Sequence, residues 1–136
     1  MSESRTRMIT ALKEVVVPRL RDSGFSGSFP HFRRVKEEVI DLLTFQFSSW
    51  GGSFVVEVAS CPAAGTTSYS GEAVPPKKVT AHHISYRLRL GSNPPKKADH
   101  WFDFESATYG ERIYRMAAEQ VLEYLPQAQR YWEFQR

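Results

Sequence analysis

Few residues in this chain have the chemistry to act as ligands, nucleophiles or bases, and they are scattered. Four histidines (His31, His82, His83 and His100) and one cysteine, Cys61, are the candidates. Zinc sites use paired cysteines, or a histidine pair about three to five residues apart. His82 and His83 are adjacent, so on a strand they would point to opposite faces, and one cysteine cannot supply a thiolate cluster. The expectation is no metal and no cofactor. Cys61, beside Pro62 and ahead of a long loop, could serve as a nucleophile with His82 or His100 as base. It sits in no local nucleophile motif, and a free cysteine often acts as a small apolar side chain. No Gly-Lys-Ser/Thr phosphate loop and no serine elbow occurs, and Gly24-x-x-Gly27 follows a helix instead of opening one.

The polar candidates group better as a surface than as a catalytic set. Glu57 alternates away from Phe54, Val56 and Val58. If the strands pair antiparallel, Gln46, Glu57, Arg87 and Arg89 share one sheet face. Charges of both signs on such a face imply a solvated surface crossed by ion pairs, with the floor of a polar binding groove as the alternative. Arg33 and Arg34 follow Phe32, a pairing that could stack on bases and contact phosphates. The plainer expectation is a strand with Phe32 inward and the arginines in water. Cys61 and His82 complete the candidate surface.

The elements that must position these residues are legible from periodicity. Ile9, Leu12, Val16 and Leu20 fall at helical spacing, predicting a helix from about Ser4 to Ser23, bent at Pro18 and stopped by Gly24 with Phe25 folding back. The period then changes to two. Strands are predicted over residues 31–36, 39–50 and 53–60, with Gly51-Gly52 turning the last pair as a hairpin. Leu43, Phe45 and Phe47 share a face, as do Phe54, Val56 and Val58, and the two sets should meet beneath the helices. Residues 61–79, rich in Gly, Ser, Thr and Pro, form a long loop of the kind that often carries function. A fourth strand is predicted over 79–90 and a fifth over 100–105. The tetrapeptide Pro-Pro-Lys-Lys occurs twice, at 75–78 and 94–97, and would mark opposite ends of the fourth strand. Thr108 and Glu111 form a capping-box pattern for one C-terminal helix, and Pro126 should open a second carrying Tyr131, Trp132 and Phe134. This order predicts an α+β fold: an antiparallel sheet of about five strands with an N-terminal helix and two C-terminal helices packed mainly on one face.

Composition sets the outer bounds. The chain has 136 residues, 41% hydrophobic and 13% aromatic, enough for the core of one domain over 1–136. A formal charge of +3 is far from that of a dedicated nucleic-acid binder. Residues 1–36 carry eight Lys/Arg against three acids; the plainer expectation is a solvated helix face, with an acidic partner as the alternative. A lone cysteine, no apolar leader and no spanning apolar run point to a cytoplasmic protein without membrane association.

Several stretches, taken together and in order, resemble a bacterial family catalogued as domain of unknown function 4304. They are Leu12-Lys13-Glu14 with Pro18 and Gly24-Phe25, Phe32-Arg33-Arg34, Asp41 through Phe47, Gly52 through Glu57, Cys61-Pro62, Lys78 through His82, Arg87 through Leu90, and His100-Trp101-Phe102. The likeness covers roughly residues 8–125. It implies a compact α+β domain and carries over no catalytic residue. The expected function is a non-enzymatic binding module with a protein partner, an immunity or toxin-neutralising role being one concrete version. The alternatives are a small enzyme with a polar pocket near Cys61 and the 61–79 loop, and a weak nucleic-acid binder using the basic first third.

Overall fold

The computed structural model describes residues 2–68, 70–92, 99–105 and 108–134. In chain order the elements are α1 (Glu3–Val15), α2 (Val17–Asp22), β1 (Ser26–Ser28), β2 (His31–Val35), β3 (Val39–Phe47), β4 (Ser53–Pro62), β5 (Thr66–Thr67), β6 (Ala73–Val74), a 3₁₀ turn (Ala81–His83), β7 (Leu88–Arg89), β8 (Phe102–Asp103) and α3 (Arg112–Phe134). The antiparallel sheet has six strands in the order β1-β2-β3-β4-β7, with β8 also paired to β4. A separate small pair, β5–β6, lies in the long loop.

The strictest alternation in the sequence builds the centre. Leu43 pairs with Val58, Phe45 with Val56 and Phe47 with Phe54, so all six point to one face. There they pack against Met8, Leu12 and Leu20 of the N-terminal helices and Ala118, Val121 and Trp132 of α3. A one-residue slip would turn every one of these side chains outward, which is why the pattern specifies the register. The indole Nε1 of Trp132 donates to the Ala59 carbonyl at 3.0 Å, on the part of β4 beyond its pairing with β7.

The N-terminal helix breaks at Val16, and Pro18 sits in the first turn of α2, where its missing N–H costs nothing. Gly24 adopts a φ of 95°, and the Phe25 amide returns to the Leu20 carbonyl at 2.9 Å, closing the helix. Ser26–Ser28, ahead of the first predicted strand, form the short strand β1, paired with β2. β3 ends at Phe47, three residues before the predicted end, and Trp50 projects from the turn at 96% exposure.

Three expectations are corrected. The C-terminal segment is one helix, not two. Pro126 lies inside α3 on its exposed side, while Val121, Ala128 and Trp132 are buried on either side of it, so packing carries the helix through. Thr108–Glu111 forms a turn ahead of that helix, and Glu111 pairs with Arg7 of α1. The 79–90 segment is not a continuous strand. Thr80 closes a local box with His83: the Thr80 amide donates to His83 Nδ1 at 2.9 Å, and this contact competes with strand pairing. Only Leu88–Arg89 joins the sheet.

The third correction concerns the face away from the helices. It is covered, not solvated. Ile40, Leu42, Ala59 and Cys61 pack there against Val74, Val79 and Ala81, forming a second, smaller core. The polar composition of 61–79 hid this cover, which needs only a few apolar anchors. The repeat Pro94-Pro95-Lys96-Lys97 lies outside the described residues.

Candidate functional site

The strand register aligns a row of polar residues across the covered face. His31 of β2 lies opposite Thr44 of β3, Thr44 opposite Glu57 of β4, and Glu57 opposite Arg89 of β7. His31 Nδ1 and the Thr44 hydroxyl are 2.9 Å apart. Glu57 is 1% exposed. Its Oε2 lies 3.3 Å from Arg87 Nε and 3.5 Å from Arg89 Nε, and its Oε1 lies 3.3 Å from His82 Nδ1. The 3₁₀ turn places His82 above this row, its ring 5.5 Å from that of His31.

The electrostatics of the row are largely internal. A carboxylate so far from water needs its cations, and Arg87 and Arg89 provide them. Arg89 also pairs with Asp99 at 2.7 Å, and Arg87 Nη1 donates to the Ala81 and His82 carbonyls at 3.4 Å. The Glu57 pairs hold residues 82–89 to the sheet, and the Arg87 bonds fold that segment back on itself. Burial lowers the His31 pKa, and the nearby His82 and His83 lower it further. A cleft of about 350 Å³ opens beside the row, lined by Glu57, Ser85, Arg87, Arg89, Ser92 and Asp99.

The remaining candidates go elsewhere. Gln46 shares the face but is exposed beyond the cluster. Arg34 points to the helix side, where its Nε donates to buried Asp41 at 3.0 Å, its Nη1 to the Ser23 carbonyl at 3.1 Å and its Nη2 to Gln129 at 3.0 Å. Its guanidinium lies over the rings of Phe25 and Trp132. Arg33 points the other way and donates to the carbonyls of Pro76 and Val79. The adjacent arginines therefore hold two different layers and form no shared basic surface. Cys61 packs in the second core, where burial raises its thiol pKa against the opposing charge of Arg33. That is the reverse of an activated nucleophile. Among the described residues, no group of three or more His, Cys, Asp and Glu side chains could hold a metal ion.

The sequence reading did not single out a second surface. Between β8 and α3 lies a groove of about 400 Å³ lined by Trp101, Tyr109, Ile113 and Met116, with His100 and Gln120. Trp101, Tyr109 and Met116 are 43%, 42% and 41% exposed. Arg89 lies over the Trp101 ring, 5.6 Å from its centroid, linking this groove to the polar row. The strand predicted over 100–105 carried the signal: Phe102 and Phe104 alternate inward, which forces Trp101 outward.

No curated protein and no solved structure matches the chain. A family model does match, over residues 16–130, and it is described only as a domain of unknown function. That span contains the whole sheet, the polar row, the groove and nearly all of α3. By this match the chain belongs to the DUF4304 family.

Proposed function

We propose that this domain is a non-enzymatic protein-binding module acting in the cytoplasm, and that its contact surface is the groove between β8 and α3. The observation that carries this is the clustering of Trp101, Tyr109 and Met116 around one groove at more than two-fifths exposure each. Large aromatic and Met side chains on a folded surface are enriched where proteins dock, because they bury much area at little conformational cost. One wall is the long helix α3, which carries Ile113, Met116 and Gln120 on regular backbone, so on that side little ordering opposes binding. The polar row supports a binding role better than a catalytic one: its cations are engaged by Glu57, Asp99 and backbone carbonyls. The one free cysteine is buried, consistent with a reducing compartment.

The test is affinity recovery from the native host with wild type, Trp101→Ala/Met116→Ala and Lys13→Ala, each first shown to be folded by circular dichroism. One protein should be recovered in stoichiometric amount with wild type and with Lys13→Ala, and lost with the double variant. Recovery of no stoichiometric partner, or of one indifferent to the double variant, overturns the reading.

A further inference from the structure

Three arginines of the described residues are half-buried: Arg33, Arg34 and Arg89. Arg34 pairs with Asp41, and Arg89 with Glu57 and Asp99. Arg33 forms no ion pair among the described residues; its Nη2 reaches only the Pro76 and Val79 carbonyls, and its Nε is buried without a hydrogen-bond partner. A guanidinium partly withdrawn from water without a counter-charge carries part of that desolvation cost, and an anion relieves it.

A cleft of about 270 Å³ lies where this arginine sits. The β1–β2 hairpin forms one wall, through Gly27, Ser28 and His31, and the turn at Lys77–Thr80 forms the other. Lys77 and Lys78 line it and are exposed, while no acidic side chain lines it among the described residues. Ser28 and Thr80 bring hydroxyls. Arg21, whose Nη2 donates to the Gly27 carbonyl at 2.6 Å, adds positive charge behind the hairpin. Gly27 has a φ of 105°, and a Cβ there would come within 2.5 Å of the His31 carbonyl oxygen, so only glycine lets this wall close. The first Pro-Pro-Lys-Lys tetrapeptide thus acts through its fold: Pro76 is clamped by Arg33, and the two lysines are presented beside that same guanidinium.

We infer that the cleft between the β1–β2 hairpin and the Lys77–Thr80 turn is an anion site for a small phosphomonoester, with Arg33, Lys77 and Lys78 as its charges. The chemistry favours phosphate because its several oxygens can take a guanidinium, two ammonium groups and hydroxyl donors at once. The volume admits a phosphate with a small organic group and excludes deep entry of a polymer. This site is independent of the groove at Trp101.

The experiment is an amide chemical-shift titration at constant ionic strength, with inorganic phosphate, glycerol 3-phosphate and a single-stranded oligonucleotide as separate probes. The expected result is saturable shifts at Gly27, Ser28 and Lys77–Thr80, with glycerol 3-phosphate binding at least as tightly as inorganic phosphate. Lys77→Ala/Lys78→Ala should weaken both about tenfold or more, and Lys13→Ala should change neither. Arg33→Gln removes the loop clamp as well as the charge, so the exposed lysine pair gives the cleaner variant. Shifts that do not saturate, that spread over other surface lysines, or that survive the double variant overturn the site. Tighter binding of the oligonucleotide, with shifts running beyond the cleft, also overturns it and makes the cleft part of a nucleic-acid track.

Discussion

His31 shows how one position takes its chemistry from its neighbours. In isolation its imidazole would titrate near its ordinary value of 6.5; in the fold, burial and the approach of His82 and His83 depress that value. Between the depressed value and 6.5 the unfolded chain binds a proton that the folded chain does not. Stability from this group is therefore complete above 6.5 and falls as the pH drops through the folded value. Urea midpoints measured from about pH 7.5 to pH 5 should fall on acidification, and His31→Gln should shallow that fall. An unchanged acid limb in the variant would mean that His31 carries none of it. Glu57 makes the complementary point: a residue expected on a solvated face is 1% exposed, with His82, Arg87 and Arg89 closed over it.

Elements formed where local pattern and packing agree, and changed where packing overruled the pattern. The helix break near Pro18 followed local rules, since proline at a first helical turn is well tolerated. Pro126 did not. It removes the hydrogen bond to the Leu122 carbonyl, yet α3 continues from Arg112 to Phe134. Buried Val121, Ala128 and Trp132 hold both halves against one core, and the Trp132–Ala59 hydrogen bond anchors the second half. Pro126 is exposed, so replacing it forfeits little packing. Pro126→Ala should raise stability by about 1–3 kcal/mol, a large part of the usual penalty for proline in a helix interior. Thermal unfolding measures this directly. A loss of stability would mean that the docking of Ala128 and Trp132 depends on a bend set by the proline.

The whole molecule is a sheet with two cores of unequal size. The larger lies under the three helices; the smaller lies under a loop that looks, residue by residue, like surface. Equilibrium unfolding of three variants tests this division. Phe45→Ala in the larger core should cost about 3–5 kcal/mol, and Val79→Ala in the smaller about 1–3 kcal/mol. Lys78→Ala, adjacent to Val79 but exposed, should stay within about 0.5 kcal/mol. A Val79→Ala variant as benign as Lys78→Ala would show that the loop adds no core. If Phe45→Ala were benign too, the β3–β4 register would be in error.

The sequence by itself determined the central hairpin, its register and the first helix stop, because period-two alternation, a glycine turn and a glycine cap are local signals with one physical meaning each. Strand parity, with antiparallel pairing assumed, also put Glu57 and Arg89 on one face, and they pair across β4 and β7; Arg87 reaches Glu57 from outside the strand. Only the tertiary structure decided what those faces meet. Whether Glu57 would be wet or buried depended on His82, Arg87 and Arg89 closing over it from a segment that leaves the sheet. That Arg33 and Arg34 serve opposite layers followed from their parity, but their partners, Pro76 and Val79 for one and Asp41 and Gln129 for the other, are distant in the chain. Contacts between residues far apart in sequence leave no periodic trace in either segment. The polar cleft and the proposed anion site are built from such contacts.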